Sequence, residues 1–107
     1  MVADRRIPLD KEGYLENLDD WSPAVARAIA LREQIDLSAA HWEVIDLLRG
    51  FYAEHGLAPM MRILVKQMQA TYGKDKGSSI YLLTLFPEYP ALIASKIAGL
   101  PRPTNCP

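Results

Sequence analysis

Apolar residues recur every three or four positions in five successive segments between Ser22 and Gly99, which is the spacing of helices with one buried face. Serine, proline and glycine bound these segments, as helix caps do. The predicted helices cover about 23–33, Ser38 to Gly56, Pro59 to Gly73, Ser78 to Phe86, and Pro90 to Ala98. The pattern predicts a mainly α fold, a small orthogonal helical bundle of about five helices around one core.

The first 18 residues carry a different pattern. Two short apolar segments flank the turn Lys11-Glu-Gly13, which predicts an N-terminal β-hairpin with Pro8 confining its first strand to an edge. We therefore expect a single domain over 1–107, divided into a β-hairpin region (1–18), a helical bundle (22–98) and a flexible, extended C-terminal arm (99–107).

Length and composition restrict the class of protein. A chain of 107 residues can bury one modest core without metals or disulfides, and its single cysteine excludes an internal disulfide. It has neither the charged start and apolar stretch of a signal peptide nor an apolar run long enough to cross a membrane. A cytoplasmic location, where a free thiol persists, is expected.

Formal charge is divided unevenly. Residues 1–61 carry six Lys/Arg and eleven Asp/Glu, a net charge of −5, whereas residues 62–107 carry six Lys/Arg and two acids, a net charge of +4. The thiol lies in the basic half, and nearby cations favour the nucleophilic thiolate. Ordinary surface charge that is segregated by chance would give the same pattern.

Sites for metals, cofactors and nucleic acids are poorly supported. His41 and His55 lie on one predicted helix roughly 21 Å apart at 1.5 Å per residue, too far to share a metal. Neither glycine-rich phosphate loops nor Ser/His/Asp signatures occur. We predict no metal and no cofactor. The helices around the turn His55-Gly-Leu-Ala-Pro59 could form a DNA-binding helix-turn-helix with Arg62 and Lys66, although two basic residues are few for that role.

The C-terminal arm, Gly99-Leu-Pro-Arg-Pro-Thr-Asn-Cys-Pro107, carries the clearest chemical candidate. Its three prolines favour an extended conformation, so the six residues from Pro101 to Cys106 would span roughly 19 Å at 3.1 Å per residue. A thiol held that far from a core is suited to entering another protein's active site. From the position alone, an incidental cysteine remains an equal alternative.

The tail Lys96-Ile-Ala-Gly-Leu-Pro-Arg-Pro-Thr-Asn-Cys106 resembles the C-terminal signature of the DsrC/TusE family of sulfur-carrier proteins, which includes the gamma subunit of dissimilatory sulfite reductase. The resemblance extends along nearly the whole chain, in order and spacing. The other matching segments are Glu12-Gly-Tyr-Leu15, Trp21, Leu37-Ser-Ala-Ala-His-Trp-Glu-Val-Ile45, Ala58-Pro-Met-Met-Arg-Ile-Leu-Val-Lys66, Gly73-Lys-Asp-Lys-Gly77 and Tyr81-Leu-Leu-Thr-Leu-Phe-Pro87.

The resemblance implies that Cys106 carries sulfur as a persulfide, in a sulfurtransferase-type carrier rather than a stand-alone enzyme. Family members with full redox activity have a second cysteine where this chain has Ser95, so the resemblance is to the single-cysteine, TusE-like branch. Lys96 and Arg102 are the cations nearest the thiol in sequence and are candidates to stabilise the thiolate or to dock a partner.

The implied partners are a TusBCD-like or DsrEFH-like sulfur donor and a thiouridylase or reductase acceptor, in a relay toward tRNA 2-thiolation or a related pathway. An accessory subunit of a sulfite reductase or heterodisulfide-reductase-like system is the alternative. The sequence departs from the family pattern at Ile80, Tyr89 and Pro107, which bears on the identity of the partners more than on the sulfur chemistry.

Overall fold

The structure, a computed structural model, describes residues 7–103. Five α-helices account for most of this part of the chain, as the sequence pattern predicted. They are α1 (Pro23–Arg32), α2 (Ala39–His55), α3 (Met61–Tyr72), α4 (Ser79–Leu85) and α5 (Pro90–Ile97), with a short 3-10 turn at Leu18–Asp20 that the pattern did not predict. No helix among the described residues combines the length and the apolar character needed to cross a membrane.

The predicted serine caps explain where two of these helices begin. The Ser22 Oγ accepts the Val25 N–H at 3.2 Å, with Pro23 in the first helical position, and the Ser78 Oγ accepts the Tyr81 N–H at 3.1 Å. Each cap supplies an acceptor for an N–H that has no partner within its helix. Helix α3 starts later than predicted, because Pro59 is buried in the preceding loop and Met60 occupies the cap position.

The last helix, α5, lies at the centre of the fold and contacts the other four helices. Its buried side chains join a core drawn from every helix, whose largest fully buried members include Ile29, Ile45, Leu48, Leu64, Met68, Leu82, Phe86 and Ile97. Burying one such side chain is worth about 1.5–3 kcal/mol. The element that precedes the arm is therefore among the most firmly held parts of the molecule.

The predicted N-terminal β-hairpin is not formed among the described residues. Leu9 and Leu15 make one isolated antiparallel bridge, and no strand extends from it within residues 7–103. The Asp10 carboxylate accepts the N–H groups of Glu12 and Tyr14 at 2.9 and 3.0 Å, which stabilises a turn in place of a ladder. The Pro8 carbonyl accepts the Glu16 N–H at 3.3 Å, but Pro8 has no N–H to donate in return, which limits the pairing to this bridge.

The two histidines lie near opposite ends of α2. The His41 Nδ1 accepts the Ser38 N–H at 3.0 Å, so the ring proton lies on Nε2, which donates to the Leu85 carbonyl at 2.8 Å. His41 thereby links α2 to the end of α4. His55 is exposed in the last turn, with its ring 4.3 Å from that of Phe51. The two histidines therefore have different surroundings, one buried and hydrogen-bonded and the other exposed.

Candidate functional site

The arm begins at a sharp turn that ends α5. Gly99 adopts φ +74°, the left-handed region that glycine enters most easily. Its N–H donates to the Lys96 carbonyl at 3.1 Å, and the Leu100 N–H donates to the Ser95 carbonyl at 3.0 Å. These two bonds form a Schellman motif, which stops the helix and sends the chain away from its axis.

The first residues of the arm lie against the body. Leu100 and Pro103 are buried, Pro101 is half-buried and Arg102 is exposed. The sequence predicted an arm that projects from Gly99, but the described part departs from the body no earlier than Pro103. Cys106 lies outside the described residues. Only three residues' length separates it from Pro103, which allows at most about 11 Å of reach.

Two side chains hold the end of α5 from outside the helix. The Arg49 Nη1 donates to the Ala98 carbonyl at 2.7 Å, and the Trp21 Nε1 donates to the Ile97 carbonyl at 3.0 Å. The Arg49 guanidinium also stacks on the Trp21 ring, 3.8 Å from its centroid. Burial lowers the pKa of Arg49 from its ordinary value, partly offset by Asp46, and the side chain stays cationic.

The sequence did not lead us to predict a role for Arg49, or for Trp21, at the end of α5. The signal available was one cationic residue within the most apolar stretch of α2, next to the core residue Leu48. A charged side chain beside the core is costly to bury unless it has a hydrogen-bond or ion-pair partner.

The two cations predicted from sequence meet around Tyr14. The Lys96 Nζ lies 5.3 Å and the Arg102 guanidinium 5.9 Å from the centroid of the Tyr14 ring. Both are already paired: Lys96 Nζ lies 3.0 Å from the Glu33 carboxylate, and Arg102 pairs with Glu12. Both cations are therefore neutralised by carboxylates within the described residues.

These side chains line a cleft of about 220 Å³ at the base of the arm. The Tyr14 hydroxyl donates to the Leu92 carbonyl at 3.3 Å, which ties the N-terminal turn to α5. Burial raises the pKa of Tyr14 above its ordinary value, and Arg102 opposes this shift. A larger apolar groove of about 340 Å³ adjoins the cleft through Glu88, Tyr89 and Leu92. Exposed Met60, Leu83 and Tyr89 line this groove.

Ser95, the position singled out by the missing second cysteine, points into the core. Its side chain is fully buried, and its hydroxyl has no hydrogen-bond partner among residues 7–103. It therefore lies on the same helix as Lys96 but not in the cleft that Lys96 lines.

Comparison with known proteins identifies the family. The family model described as DsrC like protein matches residues 1–107. The chain belongs to the DsrC-like family. The match includes all of the described residues, and with them the start of the arm and the two cations at its base, Lys96 and Arg102.

Named relatives of the family are similar over nearly their entire length. The Sulfurtransferase TusE of Sodalis glossinidius is 54% identical over 100 residues, which cover 94% of this chain and 93% of the relative. The Sulfurtransferase TusE of Salmonella typhimurium is 51% identical over 102 residues, covering 95% and 94%.

The fold matches a solved structure of the same family. The solution structure of Allochromatium vinosum DsrC superposes with a TM-score of 0.88 at 43% identity and covers 99% of both chains. The similarity therefore includes the arrangement of the helices as well as the sequence.

Replacing Ser95 by alanine is expected to raise the free energy of unfolding by about 1 kcal/mol, because it removes a buried hydroxyl that lacks a partner. Denaturant unfolding would measure the change. Ser78→Ala is the matched control: it removes a hydroxyl that caps α4 and should lower the same free energy by about 1 kcal/mol. Destabilisation of Ser95→Ala would contradict this expectation.

Proposed function

We propose that this protein is a sulfur carrier, in which Cys106 takes a sulfane sulfur as a persulfide and passes it to an acceptor protein. The observation that carries the proposal is the near full-length similarity, at 54% identity, to a relative named as a sulfurtransferase. The chain offers one thiol for this chemistry, and two residues, Thr104 and Asn105, stand between it and the buried Pro103.

The transfer balances without an oxidant or a reductant. The Cys106 thiolate attacks the outer sulfur of a donor persulfide, a new S–S bond forms on Cys106, the donor S–S bond breaks, and the donor leaves as a thiolate. Delivery repeats this step with the acceptor's thiolate as the nucleophile. The rate depends on the thiolate fraction, on the leaving thiol and on access to the sulfur.

The single cysteine determines which sulfur chemistry is open to the chain. With no second cysteine it cannot close an internal disulfide, and we assign Ser95 to the position where redox-active relatives have that cysteine. This favours a relay toward tRNA 2-thiolation in the cytoplasm, with a TusBCD-like or DsrEFH-like donor and a thiouridylase acceptor.

The surroundings of Lys96 and Arg102 indicate a different role for each cation. The Lys96–Glu33 pair is largely buried and joins α5 to the end of α1, so Lys96 serves mainly to hold the site together. The Arg102–Glu12 pair is half-exposed, and pairs of that kind are typically worth less than about 1 kcal/mol. Arg102 can exchange Glu12 for an anionic group of a partner, or for the thiolate, at little cost.

A role as an accessory subunit is the second candidate. The oxidised gamma subunit of dissimilatory sulfite reductase from Archaeoglobus fulgidus has the same fold, with a TM-score of 0.86 at 36% identity. This role predicts stable co-purification with a reductase that does not depend on Cys106, whereas a carrier releases its partner after each transfer.

The test of the carrier is the mass of the intact chain. After incubation with a protein persulfide donor of the organism, the chain should gain one sulfur atom, about 32 Da, and lose it on treatment with a reductant. Peptide mapping should place the added sulfur on the C-terminal peptide. An unchanged mass with every donor of the organism would contradict the proposal.

A further inference from the structure

We infer that Arg49 and Trp21 are positioning residues for sulfur transfer, because they fix the end of α5 and so set the direction in which the arm leaves the body. The inference rests on the proposed function of the arm. Neither residue lines the cleft around Tyr14.

The argument starts from the carbonyl groups that a helix leaves without partners at its C-terminal end. At the end of α5, the carbonyls of residues 95 to 98 each have a donor. The backbone of Gly99 and Leu100 supplies the first two donors. Trp21 and Arg49 supply the other two, from outside the helix. The local motif therefore accounts for half of the hydrogen bonds at this end, and the tertiary fold supplies the rest.

Trp21 also sets the path of the arm by contact. A Cβ atom placed on Gly99 would lie 2.2 Å from the Trp21 Cδ1, so the backbone at the start of the arm lies directly on the indole ring. The Trp21 ring is in turn held by Arg49, whose guanidinium lies 3.8 Å from the ring centroid. Trp21 therefore contacts both the Arg49 guanidinium and the start of the arm.

Loss of the Arg49 donor cannot easily be made good by water. Ala98 is completely buried, so its carbonyl would be left without a partner, which a small shift of the arm's first residues would relieve. The displacement would be carried to Cys106, seven residues along the chain from Gly99. A thiol that has to enter a partner's cleft is sensitive to such a shift, because misplacement by about 1 Å can cost on the order of 100-fold in rate.

The test measures where Cys106 is, independently of any partner. Nitroxide labels are placed on Cys106 and on a cysteine introduced at exposed Thr71 of α3, and pulsed electron paramagnetic resonance gives the distribution of distances between them. Arg49→Met should shift the distribution or broaden it roughly twofold, because the arm's first residues lose an anchor. Arg49→Lys, which keeps a cation that can donate, should restore much of the original distribution.

Two further variants separate positioning from general stability. Arg27→Met is the matched control, since Arg27 is exposed and lies over a different tryptophan, Trp42, at 5.4 Å from the ring centroid; it should leave the distribution unchanged. Trp21→Phe keeps an aromatic ring on Gly99 but removes the donor to Ile97, and should give a smaller shift than Arg49→Met. Thermal unfolding identifies any variant that fails to fold.

A distance distribution in Arg49→Met identical to that of the unsubstituted chain would overturn the inference. Sulfur uptake from inorganic polysulfide, which needs no docking, is measured on the unlabelled proteins as a separate readout. Uptake should be equal in Arg49→Met and the unsubstituted chain. If neither takes up sulfur, the carrier proposal fails while the distance measurement still decides whether Arg49 positions the arm.

Discussion

A chain with Cys106 replaced by serine is expected to acquire no sulfur from a persulfide donor. Serine has nearly the same size and keeps a hydrogen-bonding group, but its hydroxyl is almost wholly protonated at neutral pH and cannot attack the donor sulfur. Because this is the only cysteine of the chain, no second thiol can take over. The gain of about 32 Da should therefore be absent rather than reduced.

The measurement is intact mass after incubation with the donor, together with transfer of sulfur onward to the acceptor. Thr104→Ser is the matched control, because it changes a neighbouring residue of the arm and leaves the thiol in place; it should load fully. Thermal unfolding of both variants checks that their folds are equal. A sulfur adduct on Cys106→Ser would move the chemistry to another residue and refute the assignment.

Replacing Gly99 by alanine is expected to lower the free energy of unfolding by about 2–5 kcal/mol. Holding alanine in the left-handed region costs about 1–2 kcal/mol, and forcing a methyl group into filled space typically adds about 1–3 kcal/mol. The second cost arises here because the new Cβ would lie 2.2 Å from the Trp21 Cδ1 and 2.6 Å from its Cγ. The indole or the arm backbone has to move.

Gly56 provides the matched control for this substitution. It ends α2 in the same left-handed region, at φ +72°, yet nothing lies within 4 Å of a Cβ placed on it. Gly56→Ala should therefore pay only the backbone cost, about 1–2 kcal/mol. Urea unfolding of the two variants gives the difference, which measures the contact between Trp21 and the start of the arm. Equal losses would show that Gly99 does not lie tightly on the indole.

Local signals in the sequence predicted the helices well. Ser22, Ser38 and Ser78 mark helix starts, and Gly56 and Gly99 mark helix ends, because capping is decided by residues within a few positions of each other. The hairpin prediction failed for the opposite reason. Strand pairing is not decided by residues a few positions apart. Here the Asp10 side chain accepts backbone N–H groups of the turn, in competition with pairing between strands.

The candidate site was only partly predictable. The sequence pointed to Cys106, Lys96 and Arg102, since all three lie on or beside a distinctive tail. It did not indicate that Lys96 pairs with Glu33 or that Arg102 pairs with Glu12, 63 and 90 positions away along the chain. Such distant partners leave no periodic or spacing signal, so the charge available to the thiol could not be estimated in advance.

By itself, the sequence determined the helical architecture, the family and the presence of one thiol at the end of a proline-rich tail, because these depend on local pattern and on residue identity. Only the tertiary structure decided how that tail begins. It buried Leu100 and Pro103 against the body and supplied Arg49 and Trp21 to the last carbonyls of α5. A helix end has more unpaired carbonyls than its own turn can satisfy, so the remaining donors are side chains from other parts of the chain that the fold brings next to it.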